Sequence, residues 1–394
     1  MNGFFQPSQL INTDLKIPRI AQCGSCSLYK LSKNPKMKPS GLGRKKILIV
    51  GDYPGKTDDE LNKHFSGKSG KILKGLLKQV DINLNRDCWM TNAVTCRPSK
   101  NETLNNEKVR ACACNLFKTI KKLNPNVVIL LGRPAVQSLV GTIRNEEVGS
   151  MNCWAGWNIP SHDPNVWICP TYHPTWLLKN KNEALNKQVL NHLRAAVAKH
   201  KSKPWKNPPS FKKEVEIITR PSQAANIIRA RNLIARYAAF DYEGNCLKPE
   251  YDKAEIVSAS ICYDGYTIAF PFSGEVVEAF IEFLKNPCKK IASNLKFENR
   301  WSNYLLKTKV RNWYWDTMLC AHVLNNRTFT GLKFQSYVLL GQRSYNDHIQ
   351  PFLESNGSDH LNRIHEIQMK DLLLYNGLDS LLEYKIAMIQ RRKF

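Results

Sequence analysis

An unbroken apolar run ending in glycine appears at residues 45–52, KKILIVGD, and the same strand–turn–helix polarity recurs at 124–136, NPNVVILLGRPAV. A third run, VWICPTYHP at 166–174, leads into a proline-bearing loop. Runs that are apolar on both faces and precede helical patterns predict a parallel sheet covered by helices. This is a doubly wound α/β domain with its functional loops at the strand C-termini. Beyond residue 214 the pattern changes: EVEIIT, ARYAAFDYEG, AEIVSASICYD and GYTIAFPFS read as strands, the last three close enough for a meander. SGEVVEAFIEFLKN, at 273–286, has the period of an amphipathic helix, and the remainder reads as mainly helical. A mixed sheet flanked by helices is the expected second domain. Between the two halves, HKSKPWKNPPSFKKE at 200–214 is rich in Pro and Lys and has no periodicity. The expected organisation is one domain over 1–199, a basic Pro-rich linker over 200–213 and a second domain over 214–394.

The length of 394 residues suits two cores, and a hydrophobic content of 42% is that of a globular protein. No run of eighteen apolar residues occurs, and MNGFFQPSQLINTDLK lacks the charged-then-apolar pattern of a signal peptide. No membrane association is expected, and the expected compartment is the cytoplasm (the host's, if the source is viral). In that reducing setting, twelve cysteines point to metal ligation or buried thiols rather than disulfides. The net charge of +25, from 58 basic against 33 acidic residues, favours a polyanionic partner. The basic residues are spread along the chain without forming a basic amphipathic helix, which favours nucleic acid over a membrane surface.

Four cysteines have metal-ligand spacing: Cys23 and Cys26 as C-x-x-C, then Cys96, then Cys112. A close pair with two distant singles suits an iron–sulfur cluster. Zinc also uses C-x-x-C knuckles, so spacing alone leaves both open. Three loops follow the strand ends. Gly51-Asp52-Tyr53-Pro54-Gly55 runs through Asp58 to His64-Phe65-Ser66-Gly67, Thr91-Asn92 leads to Cys96-Arg97-Pro98, and Tyr172-His173-Pro174 closes the set. In this order, interleaved with the cysteines, they resemble the iron–sulfur (family 4) uracil-DNA glycosylases over about residues 20–195. The resemblance implies a three-layer α/β/α fold and a [4Fe-4S] cluster on Cys23, Cys26, Cys96 and Cys112. Cys114 is set aside because Leu116 then falls at the family's helix leucine. The resemblance also implies that Phe65 stacks on an extruded uracil, Asn92 bonds its edge and His173 stabilises charge growing on the departing base. Such chemistry needs a flipped nucleotide, a carboxylate near the sugar and a donor near the base oxygen. Asp52 and Asp58 stand where the family has Glu, and Tyr53 where it has a small residue. Asp52 and Asp58 are thus the candidate acids, one methylene shorter, and Tyr53 is a candidate base contact.

In the second half, Asp241 and Glu243 lie at i and i+2 on one strand, so alternation puts both on one face, ready to share a divalent cation. Asn294-Leu295-Lys296-Phe297-Glu298, Trp315-Asp316-Thr317-Met318-Leu319 and Tyr375-Asn376-Gly377-Leu378-Asp379 follow, the last placing Tyr375 and Asp379 one helical turn apart. The set resembles the 3′–5′ proofreading exonuclease domain of family A DNA polymerases, DEDD type with a tyrosine, over about 212–394. The resemblance implies an RNase H-like fold with two Mg²⁺ or Mn²⁺ ions on Asp241, Glu243, Glu298 and Asp379. Tyr375 would orient the attacking water, and Leu247 and Asn294 would contact the DNA strand end. Glu298 replaces the family's Asp but keeps its charge, and Asp316 is expected to be structural.

Only fifteen residues follow Asp379, so no polymerase module is expected within the chain. Glycosylase-like and exonuclease segments joined together resemble the front part of some bacteriophage DNA polymerases. The expected function is DNA replication or repair, with 3′-end removal by one domain and recognition or excision of uracil or a related base by the other. The expected partners are DNA and a separate family A DNA polymerase subunit. The alternative makes the glycosylase-like domain a silent DNA-binding module that docks the polymerase.

Overall fold

The computed structural model describes residues 20–99, 104–180, 182–355, 357 and 360–393; the stretch read above for a signal peptide lies outside them. The chain divides into two compact units. One holds the described part of Thr13–Pro208 with Val338–Arg343, and the other holds Pro209–Tyr337 with the described part of Ser344–Phe394. No helix among the described residues is long and apolar enough to cross a membrane.

In the first unit, Ile47–Gly51 (β1), Cys88–Asn92 (β2), Val127–Leu131 (β3), Ile159–Pro160 (β4) and Trp167–Thr171 (β5) form a sheet of order β2-β1-β3-β5-β4. The strands are parallel except β4, which pairs antiparallel to β5 at the edge. β1 and β3 are buried at every position, which explains their uninterrupted apolar sequence. Helices Lys68–Lys78 and Glu183–Val197 close over the sheet through Leu73, Leu76, Leu77, Val189, Leu193 and Ala196. The chain leaves β1 for β2 on one side and places β3 on the other, so the carboxyl ends of β1 and β3 flank a topological switch point, the usual ligand crevice of an open α/β sheet. The segment read as a linker is tied into this unit: Trp205 Nε1 donates to the Pro160 carbonyl at 2.8 Å and Asn165 Nδ2 to the Trp205 carbonyl at 2.9 Å.

The second unit holds Val215–Ile217 (β6), Tyr237–Gly244 (β7), Ile256–Tyr263 (β8), Tyr266–Pro271 (β9), Lys289–Ala292 (β10) and Trp313–Asp316 (β11), in the order β11-β10-β7-β8-β9-β6. β7, β8 and β9 are the expected antiparallel meander. β10 runs parallel to both β7 and β11, which gives the expected mixed sheet. An aromatic core of Phe240, Tyr242, Phe270, Phe280 and Phe283 fills one face, and helix Met369–Gln390 packs on β7, β8 and β9. The remainder is mainly helical as expected, and β10 and β11 are two short strands within it that the pattern does not show. Both are four residues long, and β10 hides Lys290 in its interior, with Nζ bonded to the carbonyls of Asn286 (2.8 Å) and Cys288 (3.1 Å). A buried lysine conceals the apolar signature of a parallel strand.

Candidate active sites and a candidate metal centre

Gly51 and Asn92 pair across the ends of β1 and β2. A Cβ on Gly51 would stand 2.5 Å from Asn92 Oδ1 and 3.2 Å from two ring carbons of Phe65, so glycine lets these side chains converge on the strand end. Phe65 is buried and holds a left-handed backbone (φ 51°), a strained conformation for an aromatic residue. Asp58 sustains it, accepting the amide of Ser66 at 2.6 Å through one oxygen and that of Gly55 at 3.0 Å through the other. The carboxylate therefore braces the first loop against the Phe65 turn.

On the other side of β1, Gly132 (φ +89°) follows β3, and a Cβ there would meet Asp52 Oδ1 at 2.8 Å and His173 Cβ at 3.0 Å. Asp52 and His173 thus flank one backbone position at the switch point. Asp52 Oδ1 is buried without a partner, and burial pushes this carboxyl up to about 7. His173 Nδ1 accepts the Thr175 amide at 3.1 Å, so the neutral ring carries its proton on Nε2. Burial lowers its pKa to about 4, so the ring is an uncharged donor at neutral pH. Tyr53 is 43% exposed and so stands at the rim. His64 carried no role in the sequence reading. It is buried beside Phe65, with Nδ1 2.9 Å from Ser40 Oγ and Nε2 unpartnered.

Cys23, Cys26, Cys96 and Cys112 line one small cavity together with Tyr29, Val94 and Thr95; Cys114 is not part of its wall. The C-x-x-C pair forms a single helical turn, closed by Ser27 in a left-handed conformation. Amides and hydroxyls point at the sulfurs: Lys36 N to Cys96 Sγ at 3.3 Å, Asn115 Nδ2 to Cys112 Sγ at 3.4 Å, and Thr95 Oγ1 3.6 Å from Cys112 Sγ. Burial pushes the Cys26 and Cys96 thiols up, so a cation or cluster must displace their protons. One tetrahedral zinc, at about 2.3 Å per sulfur, would draw the sulfurs to about 3.8 Å apart. Among the described residues, the groups of three or more ligand atoms within 4.8 Å of one another include no cysteines, so these sulfurs stand wider than one zinc requires.

In the second unit, Asp241 and Glu243 from β7 and Asp379 from helix Met369–Gln390 bring carboxylate oxygens within 4.8 Å of one another. Burial, then the charge of Asp379, holds Asp241 well above the usual carboxylate range, and burial with Asp241 does the same to Glu243. Glu298 projects from helix Leu295–Tyr304 and lies outside this trio. It is buried and also raised, by burial and then by Asp241. Tyr375 is held as a neutral phenol by burial and by the facing charges of Asp379, Glu243 and Asp241. Asp316 accepts the amides of Asn294 and Leu295 and also those of Met318 and Leu319, joining two helix starts. Asn294 sits at that junction with φ 72°, and Leu247 is 58% exposed after β7.

Four further residues belong to this site. Lys333 Nζ bonds Asp379 and the Tyr345 hydroxyl (2.8 Å), lying 4.0 Å and 4.4 Å over the Tyr345 and Tyr375 rings. Tyr345 also donates to Asp379, and Asn376 Nδ2 donates to Asp241 Oδ2 at 3.0 Å. Glu383 is the fourth, one turn beyond Asp379. Tyr375, Asp379 and Glu383 repeat at four-residue spacing, a stripe that was readable in the sequence.

Residues 40–196 match the family model described as the uracil DNA glycosylase superfamily. The chain is 31% identical over 173 residues to a type-4 uracil-DNA glycosylase of Saccharolobus solfataricus, covering 43% of this chain and 78% of that protein. It is 23% identical over 327 residues to a DNA polymerase of Bacillus phage SP01, covering 75% of this chain and 34% of the polymerase. Among solved structures, a Trypanosoma brucei RNase D in complex with GMP is similar at 14% identity and a TM-score of 0.37, covering 45% of this chain and 58% of that one. Through residues 40–196, the chain belongs to the uracil-DNA glycosylase superfamily.

Proposed function

We propose that this chain is a DNA replication or repair enzyme with two chemistries, uracil excision in the first unit and metal-dependent 3′–5′ exonucleolysis in the second. The excision reading is carried by the convergence of Asp52, Phe65, Asn92 and His173 around Gly51 and Gly132. A flipped base would stack on Phe65 and present its edge to the Asn92 amide. His173 Nε2–H would stabilise charge on the leaving base without being charged itself, and ionised Asp52 would stabilise the cationic sugar or orient water. The cysteine quartet suits a [4Fe-4S] cluster, which would cross-link the 23–26 turn to the Cys96 loop and the Cys112 helix.

The nuclease reading rests on the hard-oxygen trio and its unpaired buried neighbours, a donor set suited to Mg²⁺ or Mn²⁺. Two such ions would activate water and neutralise the leaving oxygen. Asp241, Glu243, Glu298 and Asp379 hold the charge, and the Tyr375 phenol orients the water by donating or accepting a hydrogen bond. The phage polymerase likeness, longer than either half of the chain, supports DNA as substrate and a polymerase subunit as partner, and the charge of +25 supports phosphate-led binding.

A second reading, a silent docking module, is favoured by two observations: Asp58 gives both oxygens to backbone amides, and Asp52 is the shorter acid. A uracil-containing single strand assayed for alkali-labile sites separates the two. With Asp52 titrating near 7, excision should rise about tenfold from pH 6 to pH 8 and then level off. Asp52→Asn should remove both product and pH dependence. Tight uracil-DNA binding without product at any pH would establish the docking reading instead.

A further inference from the structure

We propose that Lys333 and Tyr345 are positioning residues of the exonuclease centre, clamping one oxygen of Asp379 so that only the other is left to hold a cation. The inference rests on the nuclease reading and extends it to two residues that the carboxylate pattern does not include.

Asp379 is a member of the close carboxylate trio and is 6% exposed. Lys333 Nζ and the Tyr345 hydroxyl both donate to the same atom, Asp379 Oδ1, and Nζ also donates to the Tyr345 oxygen at 2.8 Å. The donors close consistently: the phenol gives its proton to Oδ1 and accepts one from the ammonium. Two donors occupy both lone pairs of Oδ1, which leaves Oδ2 for a metal. Asp241, another member of the trio, is held in the same manner, with Asn376 Nδ2 donating to its Oδ2 at 3.0 Å. A carboxylate with one oxygen fixed presents the other in a set direction, and outer partners of this kind support the affinity of a metal centre.

Packing argues against a casual ion pair. Tyr345 is buried, and neither it nor Lys333 belongs to the helix that carries Asp379. The Lys333 ammonium lies 4.0 Å from the Tyr345 ring centroid and 4.4 Å from that of Tyr375, and the two rings are 6.0 Å apart. Both ring faces favour the cation beyond its pairing with Asp379. Among the described acids Lys333 pairs with Asp379 alone, rather than spanning the trio as a substitute cation would. One ammonium thus fixes a ligand oxygen and the ring of the residue that orients the water.

The test is Mn²⁺ binding to the full chain, followed by loss of the free-ion electron paramagnetic resonance signal, with exonuclease rate measured against Mn²⁺ concentration in parallel. Tyr345→Phe keeps the ring and the net charge and loses one donor to Oδ1. It should need about tenfold more Mn²⁺ for half-saturation, with a smaller loss of rate at saturating ion. Lys333→Met removes a positive charge, which by itself would tighten cation binding. The clamp predicts the reverse, about tenfold weaker binding. If one variant fails to fold, the other decides. Wild-type Mn²⁺ affinity in Tyr345→Phe, or tighter binding in Lys333→Met, would overturn the clamp; if Asp241→Ala still impairs binding, the nuclease reading survives. If wild type binds no Mn²⁺, both are wrong.

Discussion

Replacing Asp241 by alanine is expected to lower 3′ nucleotide release from labelled single-stranded DNA by about a thousandfold or more, with DNA binding changed only a few-fold. Asp241 belongs to the close trio, faces Glu298 and Glu383, and is oriented by Asn376. Its removal therefore disturbs every candidate cation position at once. Metal-ion stabilisation of such a transition state amounts to several kcal/mol, and each 1.4 kcal/mol is about tenfold in rate. Binding to DNA depends instead on basic residues spread over the chain and should persist.

The same substitution has a stability signature that a merely unfolded variant would not show. Glu243, Glu298 and Glu383 are all pushed up in the folded state, by burial first and by Asp241 next. Without metal, the folded protein keeps protons that the unfolded chain has already released. Stability therefore falls as pH rises above the ordinary carboxylate range. Asp241→Ala removes one repelling charge, so melting temperature in chelator should decline less steeply with pH than in wild type. Full activity in the alanine variant, or an unchanged pH slope, would remove Asp241 from the centre of this cluster.

The parts legible in the sequence share one property: their signal is local. β1 and β3 are buried on both faces and read as apolar runs. Asp241 and Glu243 share a strand face because alternation dictates it, and Tyr375 and Asp379 share a helix face for the equivalent reason. The parts that were hidden depend on distant partners. Lys333 and Tyr345 reach Asp379 across 46 and 34 positions, and neither lies in a pattern that marks it. Asp59 is buried and accepts the amides of Lys33 (3.0 Å) and Asn34 (2.8 Å), tying the loop after the C-x-x-C turn to the first strand-end loop. Helix Pro221–Asn232 was missed because its buried face is made largely of Ala224, Ala225 and Ile228, too small a stripe to stand out among polar residues.

Cys96→Ser should abolish the visible absorbance of anaerobically purified protein, whereas Cys114→Ser should leave it intact. The two thiols differ in position rather than in chemistry. Cys96 lines the cavity shared with Cys23, Cys26 and Cys112 and accepts the Lys36 amide, while Cys114 is buried on helix Asn106–Leu123 outside that wall. The quartet joins three segments separated by up to 89 positions (112 − 23), so a bound cluster closes long loops, and its binding free energy becomes folding free energy. If its loss costs about 3–4 kcal/mol, the melting temperature of the first unit should fall by on the order of 10 °C. The Asp59 anchor and the Cys96 loop both border the first strand-end loop, so excision should decline along with the colour while exonuclease activity persists in the second unit. Colourless wild-type protein carrying one zinc per chain would overturn the cluster. Equal colour loss in the two serine variants would instead mean that the fourth ligand has been misassigned between Cys112 and Cys114.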